Sequence, residues 1–229
     1  MKFKASLILI LTTALVLFAE PSLMLSGGLN YSLITGEDSL VRENYHRIGF
    51  NAKIGFEQRF VKNFSLIFGI SLETRGEENL LIQSFSPTVV QQTLEKINIL
   101  NLQLPLLAQA NFPIGNFCIN LFAGPSMAVF LSGEKKRTVT VNVEGIEPKD
   151  DVFDFSQKMK MLGLDLEGGI GFVCNTGDRG AVFIRGGAQV GILTIAPAIN
   201  EPKEYENLNG KNINGYLTAG YKFNLRFDE

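Results

Sequence analysis

The fold of this 229-residue chain is decided by the stretch Leu100-Asn-Leu-Gln-Leu-Pro-Leu-Leu-Ala-Gln-Ala-Asn-Phe-Pro-Ile-Gly-Asn-Phe-Cys-Ile-Asn-Leu-Phe-Ala-Gly-Pro-Ser-Met-Ala-Val-Phe-Leu131. In its first part, leucine, alanine and phenylalanine occupy every second position, and mostly polar residues lie between them. The second part repeats this alternation. A two-residue period predicts two strands, joined by a tight turn over residues 113–116. Strands of about ten residues with one apolar face are typical of a barrel that crosses a membrane.

The same alternation continues on both sides of this hairpin. It predicts strands over residues 23–33, 48–60, 64–75, 100–112, 117–131, 159–173, 181–193 and 213–227. Short turns (61–63, 113–116, 174–180) alternate with long loops (34–47, 76–95, 132–158, 194–212), although residues 80–82, 89–90 and 138–143 could extend the strands. We therefore predict an all-β fold, an eight-stranded antiparallel up-and-down transmembrane β-barrel with short periplasmic turns and long extracellular loops.

The amino terminus has the pattern of an export signal. Lys2 and Lys4 precede about fourteen mostly apolar residues, which suits a signal peptide and is too short for a spanning helix. We predict a signal peptide over residues 1–19 and an outer-membrane β-barrel domain over residues 20–229. An uncleaved membrane anchor is the alternative.

The polar face of the predicted strands carries charges of both signs. An unpaired charge inside a barrel is costly, so we expect these side chains to pair and fill the lumen as a polar network without an open pore. Asp165 and Glu167 share this face, and we expect Arg185 or Lys222 to neutralise them. The predicted lumen network comprises Lys53, Glu57, Arg59, Glu73, Arg75, Asp165, Glu167, Arg185, Lys222 and Arg226.

Phenylalanines on the apolar face cluster at the ends of the strands that carry the short turns. Aromatic residues at one level of a membrane barrel form a girdle at the membrane surface. The sequence contains 18 Phe and no Trp, so such a girdle would be made of phenylalanine. The predicted periplasmic-side aromatic girdle comprises Phe56, Phe60, Phe64, Phe112, Phe117, Phe172, Phe223 and Phe227.

Several strand motifs resemble a known group of proteins. They are Leu102-Gln-Leu-Pro-Leu-Leu107, Gly124-Pro-Ser-Met-Ala-Val-Phe-Leu131, Leu164-Asp-Leu-Glu-Gly-Gly-Ile-Gly-Phe172, Arg185 ahead of Gly191, and Gly220-Tyr-Lys-Phe223. With these motifs the chain resembles the PorT-like outer-membrane β-barrels of Bacteroidetes-type bacteria and, more distantly, the small OmpA/OmpX barrels. The chain departs from the PorT-like pattern at Gly186, where an aromatic residue is common. The resemblance implies an outer-membrane barrel in a Gram-negative bacterium and does not imply one activity.

We find no pattern that predicts catalysis. His46 is the only histidine, and we interpret it as a solvated loop residue because no nucleophile can be placed beside it with a base and an orienting group. We therefore expect no enzyme, no cofactor and no metal site. The net charge of −2 gives no bias toward nucleic acid. A disulfide between Cys118 and Cys174 is left open.

The function expected from these features is structural. The barrel would be a monomer in outer-membrane lipid, with an adhesion or secretion-accessory role through the loops at 34–47, 76–95, 132–158 and 194–212. The first alternative is a narrow pore or a conduit for small hydrophobic ligands. Weaker alternatives are a membrane hydrolase or acyltransferase and a secreted lipocalin-like barrel, because periodicity alone does not say which face of a strand is inside.

Overall fold

The computed structural model describes residues 21–35, 42–86, 89–143, 146–154, 162–193 and 211–225. The signal peptide predicted over residues 1–19 lies outside this part of the chain. The described residues form nine strands: β1 (Pro21–Thr35), β2 (Arg42–Val61), β3 (Phe64–Ser86), β4 (Val89–Ile114), β5 (Phe117–Val141), β6 (Lys149–Asp154), β7 (Leu162–Asn175), β8 (Gly180–Leu193) and β9 (Lys211–Asn224). Within these residues, no helix is long and apolar enough to cross a membrane.

Eight of these strands close into a ring. They pair in the order β4-β3-β2-β1-β9-β8-β7-β5, and β5 pairs again with β4. Every pairing is antiparallel, for example Leu25 with Tyr221 between β1 and β9, the first and last described strands. The predicted eight-stranded up-and-down barrel is confirmed. The ninth strand, β6, pairs only with β5 and lies outside the ring.

The short turns lie together at one end of the ring. β2 and β3 are joined by a turn at residues 62–63, β4 and β5 by a turn at residues 115–116, and β7 and β8 by residues 176–179. Gly115 has a φ of 61° and Gly177 a φ of 109°, both in the left-handed region. These two turns therefore need glycine, because a side chain there would strain the backbone.

The two faces of each strand differ as the alternation predicted. In β4, Gln103 and Gln109 point inward and are buried, whereas Leu106 is 48% exposed on the outer wall. In β5, Asn120 and Ser126 are buried and Leu121 is 48% exposed. The wall is therefore apolar outside and mostly polar inside. A lipocalin-like barrel would need the opposite arrangement, and the structure contradicts that alternative.

Two of the predicted long loops are wrong, because strands occupy most of them. β3 continues to Ser86, β4 begins at Val89, β5 continues to Val141, and β6 pairs with residues 134–139 of β5. We call residues 76–86, 89–99, 132–141 and 149–154 the projecting sheet. The sequence indicated only parts of these strands, at residues 80–82, 89–90 and 138–143, because charged residues such as those at 134–137 interrupt the apolar alternation.

The other loops are shorter than predicted where the structure describes them. β1 reaches Thr35 and β2 begins at Arg42, so strands occupy residues 34–35 and 42–47 of the loop predicted at 34–47, and residues 36–41 are not described. His46 therefore lies in β2, paired with Glu77, and the loop interpretation of this residue is wrong. Of the loop at 194–212, residues 194–210 lie outside the described residues.

The two cysteines face opposite sides of the wall. Cys174 pairs with Phe117, which is 61% exposed outside, and Cys118 pairs with Val173, which is buried inside. Both thiols are free. Because side chains alternate across a strand, these positions cannot form a disulfide without moving the backbone.

Candidate functional site

The barrel interior collects most of the residues predicted for the lumen network. Arg59 is the exception: it is exposed beside the turn at residues 62–63, where the pairing of β2 with β3 shifts between Arg59 and Val61 and the strand alternation is lost. Arg226 lies outside the described residues. Lys53 is partly buried, and seven others are buried inside the ring: Glu57, Glu73, Arg75, Asp165, Glu167, Arg185 and Lys222.

One group of side chains surrounds Arg75, and we call it the Arg75 cluster. The Arg75 guanidinium lies 3.1 Å from Glu73 Oε2 and, through Nη1, 2.9 Å from Asp165 Oδ2. It also donates to Gln189 Oε1. Gln103 Nε2 donates to Asp165 Oδ2 at 3.3 Å. One guanidinium thus holds two carboxylates from β3 and β7. The amides of Gln103 in β4 and Gln189 in β8 add hydrogen bonds to Asp165 Oδ2 and Glu73 Oε1.

Glu167 continues this cluster toward the middle of the barrel. Its Oε1 accepts a hydrogen bond from the Tyr216 hydroxyl at 2.6 Å and lies 3.3 Å from Lys53 Nζ. Its Oε2 accepts from Gln189 Nε2 at 3.3 Å. Gln189 therefore connects Glu167 to Arg75, and the network described so far includes side chains from six strands: β2, β3, β4, β7, β8 and β9.

A second group lies nearer the short turns, and we call it the Glu57 cluster. Glu57 Oε2 lies 3.3 Å from Lys222 Nζ and 3.9 Å from Arg185 Nη2. Gln109 bridges the same pair, because its Nε2 donates to Glu57 Oε1 at 3.1 Å and its Oε1 accepts from Arg185 Nη2 at 2.7 Å. Here the proportion is reversed, and one carboxylate faces two cations.

The expected partners of Asp165 and Glu167 are wrong. Arg75 neutralises Asp165 and Lys53 neutralises Glu167, whereas Arg185 and Lys222 face Glu57. The register explains the difference, because Arg185 of β8 pairs with Gly171 of β7. Gly171 is six residues from Asp165, or about 20 Å along an extended strand.

An apolar layer beside the Glu57 cluster was missed in the sequence. Phe122 and Phe183 point inward, and their ring centroids lie 5.5 and 4.9 Å from the Arg185 guanidinium. Their faces attract the cation and exclude water from it. The signal was present in the sequence, because these residues occupy the inward phase of their strands. The buried members of the layer are Met24, Ile67, Leu107, Phe122, Val173, Ala181 and Phe183.

Little space remains between these groups. A cavity of about 20 Å³ lies where Glu167, Tyr216 and Arg185 meet Phe122 and Phe183. A cavity of this size has room for about one water molecule. In the described part of the chain, no three His, Cys, Asp or Glu side chains are grouped so that they could hold a metal ion. The arrangement is a hydrogen-bonded and apolar filling that ties the strands together across the ring.

The phenylalanines predicted for the girdle lie on the outer wall. Phe227 is outside the described residues. The other seven are exposed in the half of the barrel that carries the short turns, with Phe56 stacked on Phe68 at a centroid distance of 5.8 Å. The exposed seven are Phe56, Phe60, Phe64, Phe112, Phe117, Phe172 and Phe223.

Comparisons with known proteins give one family match and several similar solved structures. A family model described as outer membrane protein beta-barrel domain matches residues 22–192. Among solved structures, the chain is similar to the attachment invasion locus protein Ail of Yersinia pestis, solved with the heparin analogue sucrose octasulfate (16% identity, 89% of this chain and 99% of that chain, TM-score 0.40). It is also similar to Neisserial surface protein A (12% identity, 90% of this chain and 97% of that chain, TM-score 0.41). A third similar structure is OprG of Pseudomonas aeruginosa (11% identity, 92% of this chain and 98% of that chain, TM-score 0.42). The search of curated protein sequences finds no match.

Proposed function

Because the chain belongs to the outer membrane protein beta-barrel domain family, we propose that it is an anchored recognition protein of the cell surface. The chain lies in the outer membrane of a Gram-negative bacterium. In this proposal the barrel is a closed anchor, and the projecting sheet contacts a partner in adhesion or as an accessory to secretion. The observation that carries the proposal is the contrast between a filled barrel interior and strands that continue well beyond the ring.

The filled interior argues for an anchor. Side chains of an eight-stranded barrel just fill its interior. Here Arg75 bridges β3 to β7, Glu57 bridges β2 to β8 and β9, and the remaining cavity between them is about 20 Å³. A solute would have to break several buried ion pairs to pass, and breaking a buried pair costs about 3–5 kcal/mol.

The position of the projecting sheet argues for contact with the outside. It continues the ring at the end opposite the three short turns. Short turns of outer-membrane barrels face the periplasm, which places the projecting sheet on the extracellular side. β6 forms one edge of it, and Val152 in β6 is 61% exposed.

The charges of the projecting sheet suggest the kind of partner. Lysines and glutamates alternate across its strands in ion pairs, such as Lys96 with Glu78 at 3.2 Å and Lys135 with Glu95 at 3.1 Å. Neither sign dominates, so a partner with a mixed polar surface, such as a folded protein, fits better than a polyanion. The strand motifs resemble the PorT-like group, one branch of which is tied to protein secretion, and this resemblance supports the secretion-accessory role.

The test is to shorten the projecting sheet and leave the ring intact. The full chain and a variant lacking residues 78–95 and 135–152, each gap closed by a Gly-containing turn, are expressed in the outer membrane of a non-adherent host. We expect the full chain to promote cell aggregation or retention on protein-coated surfaces, and the shortened chain to lose this. Both should resist SDS until boiled, as folded barrels do. Equal behaviour of the two strains would contradict the proposal.

The pore alternative has its own measurement. We expect the purified chain in a planar lipid bilayer to show no steady single-channel conductance, because the Arg75 and Glu57 clusters and the apolar layer fill the lumen. The shortened variant is a matched control and should be equally silent. A large and steady conductance of the full chain would favour the narrow pore and rule out the closed anchor.

A further inference from the structure

The pairing of β3 with β4 is interrupted in the middle of the barrel wall. Residue pairs run without a break up to Phe68 with Leu106 and resume at Ser71 with Gln103 in the same register. Pro105 lies on the β4 side of this interruption, and proline has no N–H with which to continue a ladder of hydrogen bonds. The pairing of β3 with β4 is therefore interrupted beside Pro105.

A groove in the outer wall lies over this interruption. Its volume of about 720 Å³ is in the range of ligand pockets, which are roughly 300–1,000 Å³. Gly69 and Pro105 are among its lining residues, and Gly69 brings β2 and β3 so close that an added Cβ would lie 2.3 Å from the Ile54 carbonyl oxygen. The rest of its lining is mostly apolar and includes Leu25, Ile54, Phe56, Phe68, Ile70 and Leu104.

The groove approaches the interior of the barrel. Ser26 and Lys53 line both the groove and the small cavity beside Glu167. Lys53 is the only charged residue that the described part of the chain contributes to the groove, and its ammonium is bound to Glu167 at 3.3 Å. The groove therefore offers an apolar ligand a long contact surface and offers an anionic headgroup no unpaired cation.

We infer that this groove holds one acyl chain of a membrane phospholipid. The groove is continuous with the apolar wall that faces lipid, so its natural occupant comes from the bilayer. Van der Waals packing in a recess favours one ordered chain over the mobile lipid elsewhere around the wall.

The choice of phospholipid follows from the position and charge of the groove. Phe56 and Phe68, at one end of it, lie in the half of the barrel with the short turns, which is the periplasmic half. The acyl chain would therefore come from a phospholipid of the periplasmic leaflet. Lipopolysaccharide carries phosphates that need cations, and Lys53 is already paired.

The test maps where lipid chains touch the wall. The full chain is placed in nanodiscs of phosphatidylethanolamine and phosphatidylglycerol with a trace of phosphatidylcholine that carries a diazirine on one acyl chain. After illumination, mass spectrometry locates the adducts. We expect severalfold more adducts at Ile54, Ile70 and Leu104 than at Ile184 and Leu217, which are exposed on the wall of β8 and β9.

Two variants fill the groove and one matched variant does not. Ala52→Phe and, as a second choice if the first fails to fold, Leu104→Phe should lower the groove adducts to the level of the remaining wall. Ala188→Phe adds the same ring to the exposed wall of β8 and should leave the number of groove adducts unchanged. Adducts spread evenly around the wall, no change in the filled variants, or loss of the groove adducts when lipopolysaccharide is added would each overturn the inference.

Discussion

Ion pairs inside the ring and ion pairs on the projecting sheet use the same residue types in opposite surroundings. The side chains of Arg75 and Glu73 are 2% and 6% exposed, whereas those of Lys136 and Glu134 are 56% and 41% exposed. Their N–O distances are similar, 3.1 and 3.4 Å. The N–O distance therefore does not decide how much each pair contributes to stability. The access of water to the two side chains decides it.

Buried and exposed ion pairs also have different roles in the two parts of the sheet. Inside the ring, Arg75, Glu167 and Glu57 each bind two or more side chains from other strands, so these contacts fix which strands meet across the lumen. On the projecting sheet, pairs such as Lys96 with Glu78 join neighbouring strands and stay open to water. Such pairs contribute little stability and leave the surface free to exchange partners.

The largest effect is expected when Arg75 is removed. Arg75→Leu leaves Glu73 and Asp165 buried without their cation, and we expect a loss of about 3–5 kcal/mol in the free energy of unfolding. The chain contains no Trp, so unfolding in urea with lipid vesicles is best followed by circular dichroism and by SDS-resistant gel migration.

The matched control also removes the two carboxylate charges that Arg75→Leu leaves without a cation. Arg75→Leu combined with Glu73→Gln and Asp165→Asn should recover most of the loss, because the uncompensated carboxylates cause it. A loss below about 1 kcal/mol for Arg75→Leu, or a triple variant no more stable than the single one, would mean that water reaches this cluster as it reaches the projecting sheet.

A smaller effect is expected in the Glu57 cluster. Glu57→Gln keeps the size of the side chain but leaves Lys222 and Arg185 without an anion. Arg185 retains Gln109 and the rings of Phe122 and Phe183, so we expect a loss of about 2 kcal/mol, the usual range for a hydrogen bond to a charged group. Urea unfolding at low and high salt checks this, because a buried pair should respond little to salt.

The control for this variant removes one cation. Glu57→Gln with Lys222→Met should be more stable than Glu57→Gln alone, since the two variants differ by one unpaired buried charge. If the double variant is the less stable one, then Lys222 contributes by packing or by a partner other than Glu57, and the comparison of charge environments does not apply here.

Much of the barrel could be predicted from the sequence because strand geometry is local. Side chains alternate at every residue, so the inward placement of Gln103, Asp165 and Glu167 follows from counting alone. The partners across the lumen could not be predicted. They depend on the stagger between strands, which brings Asp165 of β7 to Arg75 of β3. The same stagger pairs Arg185 of β8 with Gly171, six residues along β7 from Asp165.

The apolar layer and the projecting sheet escaped prediction for a related reason. Phe122 and Phe183 break the polar pattern of the inner face at single positions, and only ring closure shows that they meet around Arg185. In the projecting sheet, the run of charged residues at 134–137 interrupts the apolar period that marks a strand in a barrel wall. Both cases show that periodicity reports the surroundings of a strand and not its existence.

The smallest effect is expected on the projecting sheet. Lys136→Ala removes the partner of Glu134, yet both side chains are well exposed, so the loss should stay within about 0.5 kcal/mol. Any loss should disappear in high salt, because exposed charges are screened. The same urea titration measures it beside Arg75→Leu. A loss as large as that of the buried pair would show that a bound partner or a second copy of the chain covers the projecting sheet and excludes water. Lys136 and Glu134 would then count as a buried ion pair.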